Sequence, residues 1–263
     1  RAARAHFETQ ETTAASLFFL LGPAGFILAP AVGGPLLEQW GPPGLLALLP
    51  LALPMGLLAA RDVDDGEKVA HAPLVVAKGG SSPTWGMASL AFAAVTALQS
   101  WAQTNMVTYL PKYYSDLGFR PSVYGLLSAT FMVGTAIGGV SGGWLGDRRS
   151  RRTIVSLTLA AAGVPLALYP ALGATGWGYV LALTSGALTG ASYSILIVHG
   201  QKLLPGRRGA SSGLVMGFAF ASGSLGTLLS GVMADQVGFA PVFWSTAAIC
   251  ILAGVLALFT RME

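Results

Sequence analysis

The sequence predicts an all-α integral membrane protein with about eight transmembrane helices. Three observations carry that reading. Hydrophobic residues make up 53% of the chain and charged residues only 10%, against roughly 25% charged in soluble domains. The apolar residues fall in continuous runs close to the roughly 20 residues a helix needs to cross the hydrocarbon core. The basic residues lie between those runs: Arg148, Arg149, Arg151 and Arg152, four of the 15 Lys+Arg, sit within five positions. Helix is the element lipid permits, because an open sheet would leave backbone groups unpaired. Barrel strands would alternate with period two, and these runs do not.

The predicted spans are Thr13–Leu37, Leu45–Ala60, Trp85–Tyr109, Tyr124–Leu145, Thr153–Leu172, Tyr179–Val198, Ser211–Met233 and Val242–Thr260. The second is short and carries Pro50 and Pro54. Between the fourth and fifth spans, Gly142–Arg152 reads as a short charged hairpin, placed on the cytoplasmic side where Lys and Arg accumulate. Alternating the loops from there puts 13 of the 15 Lys+Arg inside and leaves only Lys112 and Arg120 outside. Both termini are then cytoplasmic.

An internal repeat organises the spans further. Shifted by 197 positions, the first span lies on the seventh: Leu17 meets Leu214, Gly34 meets Gly231, Glu38-Gln39 meets Asp235-Gln236, and Gly41 meets Gly238. If spans one and two match spans seven and eight, spans three to six have no upstream counterparts. The expected whole is two parallel six-helix repeats lacking the first four helices. Residues 1–60 would be the last two helices of an N-terminal bundle, residues 61–83 a cytoplasmic linker with Gly79-Gly80-Ser81-Ser82-Pro83, and residues 84–263 a complete C-terminal six-helix bundle. The chain begins at Arg1, without methionine or signal peptide, as a fragment or processed product would.

Composition narrows the function classes. The 35 glycines suit helices packing closely in lipid. A pI near 9.4 would fit nucleic-acid binding if the basic residues formed a face, but they punctuate apolar runs, so no nucleic-acid partner is expected. The one cysteine, Cys250, lies in an apolar run, and neither a metal site nor a cofactor is expected. No nucleophile–base pair, phosphate-binding loop or paired intramembrane carboxylates appear, so the chain does not read as an enzyme.

Motifs give these spans a family resemblance. Gly143-Trp144-Leu145-Gly146-Asp147-Arg148-Arg149-Ser150-Arg151-Arg152 resembles the signature loop of the major facilitator superfamily, Gly-x-Leu-x-Asp-Arg-x-Gly-Arg-Arg, departing at Ser150. In the first span, Gly25-x-x-x-Ala29-Pro30-x-x-Gly33-Gly34 resembles the helix-five motif of the drug/proton antiporters, with Ala29 replacing a glycine. The stretch Leu203–Leu214 with Gly217-Phe218-Ala219-Phe220 is similar to the fosmidomycin-resistance exporters of that superfamily, and more loosely so is Val107-Thr108-Tyr109-Leu110-Pro111. The resemblance covers the chain as helices five to twelve of twelve.

The resemblance implies that Gly143, Asp147, Arg148, Arg151 and Arg152 form a latch that breaks and reforms during alternating access; plain positive-inside anchoring is the simpler alternative. It also implies that the helix of Gly25, Pro30, Gly33 and Gly34 seals two bundles together, where ordinary small-residue packing would serve equally. The third span is the substrate-cavity candidate on its own residues. Trp101, Asn105 and Thr108 share a face at i, i+4 and i+7, with Gln99, Gln103 and Thr104 nearby. Such a stripe faces a water-filled cavity or forms interhelical hydrogen bonds. Tyr193, with Thr189 and Ser192, adds a second stripe on the sixth span.

All 11 Asp+Glu lie at span ends or in loops, so a coupling proton would need a group in absent helices, Glu8 or Glu11 reaching in, or His199, which reads as interfacial. The resulting expectation is a monomeric secondary transporter of the bacterial cytoplasmic (inner) membrane. Its partners would be a small-molecule substrate, protons as coupling ion and the lipid bilayer. By resemblance, the substrate is an exported drug or antibiotic of the fosmidomycin kind. Uptake of a small organic anion or sugar by the same fold is the alternative within transport, and a non-transporting binding or sensor protein the alternative outside it.

Overall fold

A computed structural model describes residues 24–50, 87–203, 208–260 and 262. Among them the chain forms seven α-helices: α1 (Ala24–Trp40), α2 (Met87–Asp116), α3 (Pro121–Arg148), α4 (Arg151–Leu172), α5 (Trp177–Leu203), α6 (Arg208–Val237) and α7 (Phe239–Ala257). A 3₁₀ helix, Pro42–Leu48, follows α1. No strand occurs among the described residues. The first eleven residues of the first predicted span and most of the second lie outside the described residues, as does the linker at 61–83.

Helices α3 to α6 follow the predicted spans and run longer at one or both ends, α2 runs on past Tyr109 to Asp116, and α7 starts and stops three residues early. Among the described residues, five stretches are long and apolar enough to cross a membrane: α3, α4, α5, the Ser212–Val237 part of α6, and α7. The 30-residue α2 is not among them, because Gln99, Ser100, Gln103, Thr104 and Asn105 dilute its apolar character. It packs in the same bundle nonetheless.

Glycine decides the most extensive interface. Gly134, Gly138, Gly142 and Gly146 recur every four residues down one face of α3, and each meets α5, at Leu183, Ala187, Ala191 and Ile195 in turn. A Cβ on Gly138 would overlap the Ala187 carbonyl, and one on Gly142 would overlap Ala191. From the other side, Gly186 and Gly190 of α5 meet the backbone at Phe131 and Thr135. In lipid, where hydrophobic burial gives helices little reason to associate, this closeness supplies the van der Waals contact that does.

The remaining helices wrap this pair. Antiparallel α4 and α7 meet through Gly163 against Ala247 and Ile251, and Gly254 against Ser156 and Ala160. Helix α2 bridges α6 and α7. Three buried clusters result among the described residues: one around Met106, Tyr114, Phe131, Tyr169 and Phe243, with Tyr169 stacked on Phe243 at 5.0 Å, one around Val95, Val155, Leu159 and Leu196, and a smaller one of Ile197, Val215 and Ala219.

Two features differ from the sequence reading. The segment Gly142–Arg152 was expected as a hairpin loop, but α3 continues through Arg148 and α4 begins at Arg151, leaving only Arg149 and Ser150 outside helix. The packing of Gly142 and Gly146 on α5 holds those last turns helical. The second span opens in 3₁₀ form, with Pro42 and Pro43 heading the turn.

The 197-residue correspondence has a geometric counterpart. Gly41 (φ 64°, ψ −164°) leads into the 3₁₀ helix, and Gly238 (φ 84°, ψ −177°) leads into α7. Both occupy a region essentially restricted to glycine, at positions the shift pairs.

Neighbouring glycines on α3 give a sharp test of the seam. Gly138→Ala should cost about 1–3 kcal/mol by overpacking, read as a lowered melting temperature of the purified protein. Gly139→Ala, whose Cβ would have only the Gly190 carbonyl nearby, at 3.9 Å, should change stability by less than about 0.5 kcal/mol.

Candidate functional site

The polar residues of α2 lie among α3, α5, α6 and α7, and between them they reach all four. The Trp101 indole N–H donates to Ser230 Oγ on α6 at 2.9 Å. Asn105 Nδ2 donates to the same Ser230 Oγ at 2.8 Å and to Thr246 Oγ1 on α7 at 3.0 Å. Thr246 meanwhile donates to the Val242 carbonyl of its own helix, which leaves its oxygen to accept. Gln103 donates to Thr135 Oγ1 on α3, and Gln99 to the Thr189 carbonyl on α5, each at 3.3 Å.

Helix α6 makes room for these side chains with glycine. A Cβ on Gly226 would lie inside the Trp101 ring, and one on Gly223 would press on Thr104 Oγ1. Thr104 itself donates back to the Ser100 carbonyl. Tyr109 reaches across to donate to the Thr227 carbonyl at 2.7 Å. The face predicted from Trp101, Asn105 and Thr108 is thus divided: Asn105 is buried, Trp101 half-buried, and Thr108 exposed.

Several polar atoms along this seam have no partner among the described residues: Gln99 Oε1, Gln103 Oε1, Asn105 Oδ1 and the hydroxyls of Ser100 and Thr227. A buried unpaired acceptor is costly, so the seam has spare capacity for water or for a donor group on a ligand. Beside it lies an apolar cavity of about 370 Å³ between α1, the 3₁₀ helix, α2 and α3, lined by Phe26, Pro30, Met106, Val107, Phe131 and Met132 among others.

Tyr193 stands apart from the cluster. It packs half-buried against Ile197, Val215 and Ala219 where α5 meets α6. Thr189 and Ser192 are buried and donate to carbonyls of their own helix, which is packing chemistry. His199 was expected at the interface but is buried, its ring edge-on to Phe92 at 5.2 Å. The reason is Gly200, which lets Phe92 and Val215 close over this end of α5.

At the α3–α4 corner, Asp147 pairs with Arg151 at 3.6 Å across the two-residue turn. The Arg148 guanidinium stacks over the Trp144 ring at 4.0 Å. Gly143 is half-buried, and Arg152 exposed. Ser150 makes no side-chain cap to α4.

On α1 the proline–glycine segment meets α3 directly. Cβ atoms on Gly34 or Gly125 would collide with the other helix's backbone, Gly34 with the Pro121 carbonyl and Gly125 with the Pro30 carbonyl. Gly33 lies against Leu45, and Gly25 faces open space. One turn beyond, Glu38 accepts a hydrogen bond from the Ser122 N–H at 3.3 Å, with Arg120 at 3.8 Å. The Ser122 hydrogen bond, with Arg120 adding to it, holds the Glu38 carboxyl below its usual range.

Sequence reasoning missed Ser230, Thr246 and Thr135. A lone serine or threonine in an apolar run carries no signal of its own. The three- and four-residue spacing of Gly223, Gly226 and Ser230 on one stripe of α6 was the available clue.

Comparison with known proteins adds the family. Residues 90–263 match the family model of the Major Facilitator Superfamily. The fosmidomycin resistance protein of Escherichia coli (strain K12) is 33% identical over 129 residues, covering 49% of this chain and 31% of that protein. An uncharacterized MFS-type transporter, YfnC of Bacillus subtilis (strain 168), is 32% identical over 127 residues, covering 48% and 31%. The multidrug efflux pump Tap of Mycolicibacterium fortuitum is 24% identical over 246 residues, covering 89% and 60%. The chain thus spans about a third to three fifths of the relatives it matches.

Two outcomes follow from this geometry. Ser230→Ala removes the shared acceptor of Trp101 and Asn105. At about 0.6 kcal/mol per interhelical bond it should lower stability by about 1 kcal/mol and shift tryptophan emission, both measurable on the purified protein. The Glu38 contact carries the sign of a depressed carboxylate: it is fully present above the ordinary glutamate range and lost as pH falls through the lowered value. Spin labels at Trp40 and Leu117 should therefore move apart on acidification, and Glu38→Gln should show the wider distance already at neutral pH.

Proposed function

The chain belongs to the Major Facilitator Superfamily, a family of membrane transporters, and from that premise we propose that it works as a secondary transporter by alternating access, exporting a small drug-like or antibiotic compound in exchange for protons. Residues 1–60 and 84–263 would belong to opposite bundles, joined by the linker at 61–83, with both termini on the cytoplasmic side of a bacterial inner membrane. The observation that carries the reading is the α2 seam: unpaired acceptors and a half-exposed tryptophan in the middle of an otherwise apolar bundle. Polar groups in a membrane interior are costly and are retained where they line a pathway.

Residue roles follow. Trp101 supplies a flat apolar surface for substrate, its edge held by Ser230. Gln103 and Asn105 offer carboxamide oxygens to donors on the substrate, and Thr104 and Thr108 line the approach. Tyr193 borders the cytoplasmic end of the same path. The close contact of Pro30 and Gly34 with α3 supports a seal between bundles, with Gly33 packed against Leu45 and Gly25 leaving the start of α1 free of side-chain bulk. The Asp147–Arg151 pair and Arg148, at the end of glycine-packed α3 with Gly143 beside them, support a latch that opens as the bundles rock. Export is favoured over uptake by the relatives, one named for fosmidomycin resistance and one as a multidrug efflux pump.

Proton movement in inverted vesicles carrying the full-length protein tests this. Adding fosmidomycin, or else a lipophilic cation, should collapse an imposed pH gradient, and Asn105→Ala should abolish the response while the protein remains inserted. If no compound moves protons although the native protein is inserted, the exporter reading fails.

A further inference from the structure

Two walls of the cavity beside the α2 seam are each interrupted by a proline, Pro111 inside α2 and Pro30 inside α1. Proline has no N–H to give, so the carbonyl four residues before it loses its helical donor. Those carbonyls belong to Val107 and Phe26. All four residues line the cavity. Positions four apart lie one turn above another on a single helix face. Each proline that borders the space therefore has its freed carbonyl beside it on the same side. The cavity is an apolar space with a backbone acceptor on each of two walls.

The rest of the lining offers an incoming molecule no charge. No charged side chain borders the cavity among the described residues. Ser128 does border it, and its hydroxyl donates to the Tyr124 carbonyl of its own helix at 2.9 Å. Lys112, next to Pro111, pairs with Asp116, and Arg120, at the start of α3, pairs with Glu38. The adjoining seam continues the same chemistry, since Gln103 Oε1 and Asn105 Oδ1 on α2 have no partner among the described residues. Carbonyl and carboxamide oxygens only accept hydrogen bonds, and a buried acceptor without a donor is costly. A molecule that brings N–H groups relieves that cost. A phosphonate or carboxylate brings negative charge and further acceptors, and meets no cation.

We propose that the cavity holds the apolar body of the transported compound and that the Val107 and Phe26 carbonyls accept hydrogen bonds from its N–H groups. The substrate class is then a lipophilic amine, and anions such as fosmidomycin are excluded. This rests on the transporter reading above and narrows it.

Three probes built on one naphthalene ring test the assignment: naphthylmethylammonium, its trimethylammonium analogue, which keeps the charge but has no N–H, and naphthylmethylphosphonate. Binding to the full-length protein in nanodiscs of neutral lipid is measured by equilibrium dialysis, with no pH gradient imposed. The ammonium should bind about tenfold more tightly than the trimethylammonium, as hydrogen bonds from a charged donor would give, and the phosphonate more weakly than either. Three added methyl groups make the trimethylammonium the more apolar probe, so burial alone would favour it over the ammonium. The variant P30A/P111A returns an N–H to each freed carbonyl and should lose most of the ammonium preference. Its melting temperature should not fall, because alanine suits a helix interior better than proline does. Met132→Trp, which fills the cavity, should weaken both cations alike. Equal affinity for the two cations, a preference unchanged in P30A/P111A, or tightest binding of the phosphonate would each overturn the site. Failure of the exporter reading looks different: the ammonium preference would be present and lost in P30A/P111A, yet no compound would move protons.

Discussion

Backbone contact between α3 and α5 is the constraint on which the rest of the bundle depends. Gly134, Gly138, Gly142 and Gly146 bring the two helices close enough that a single methyl group would intrude. Burial from water cannot hold helices together where the solvent is itself hydrocarbon, so shape has to. The consequences run outward from this seam. It keeps the Gly142–Arg148 end of α3 helical and compresses the turn into α4 to two residues. It also fixes the face of α3 that carries Thr135 toward α2 and Gly125 toward α1.

Helix α2 has the opposite character. It is the least apolar of the six helices between Met87 and Ala257, and its stability in the bundle comes from donors that together find acceptors on four neighbouring helices. The glycines on α6 are what permit this. Gly226 gives the Trp101 ring a place to lie, and Gly223 gives Thr104 one, so the polar edge of α2 can reach Ser230. Each carboxamide of Gln99, Gln103 and Asn105 has its nitrogen paired and its oxygen without a partner among the described residues. That imbalance distinguishes the seam from a purely structural network, in which both halves of each carboxamide would be paired. It is the physical basis for reading a transport pathway here.

Much of the fold was legible because lipid allows so few solutions. Run length and charge placement located six helices, every end to within five residues except that of α2, which runs seven past Tyr109, and the shift pairing Gly41 with Gly238 picked out two glycines in the same restricted conformation. The helical extent of Gly142–Arg148 was not legible, because glycine followed by arginine signals a turn in sequence and only the contact with α5 makes it helix. The site was half legible. Gln103, Asn105 and Trp101 declared themselves as polar or amphipathic groups in an apolar run. Their partners Ser230, Thr246 and Thr135 did not, since such residues usually bond their own helix, as Thr189 and Ser192 do here. Burial of His199 escaped for a related reason: a histidine beside Gln201 and Lys202 reads as a span end, and the closing effect of Gly200 appears only in three dimensions.

The central claim is that the exposed side of α2 faces a substrate pathway. The most direct measurement is the rate at which a membrane-impermeant thiol reagent modifies Thr108→Cys, with the native Cys250 buried and silent. The account predicts rapid modification, slowed by a transported compound and unaffected by compounds that do not drive proton exchange. Modification that is absent, or equally fast with every compound present, would contradict it and leave α2 as a packing helix with an unusually polar edge.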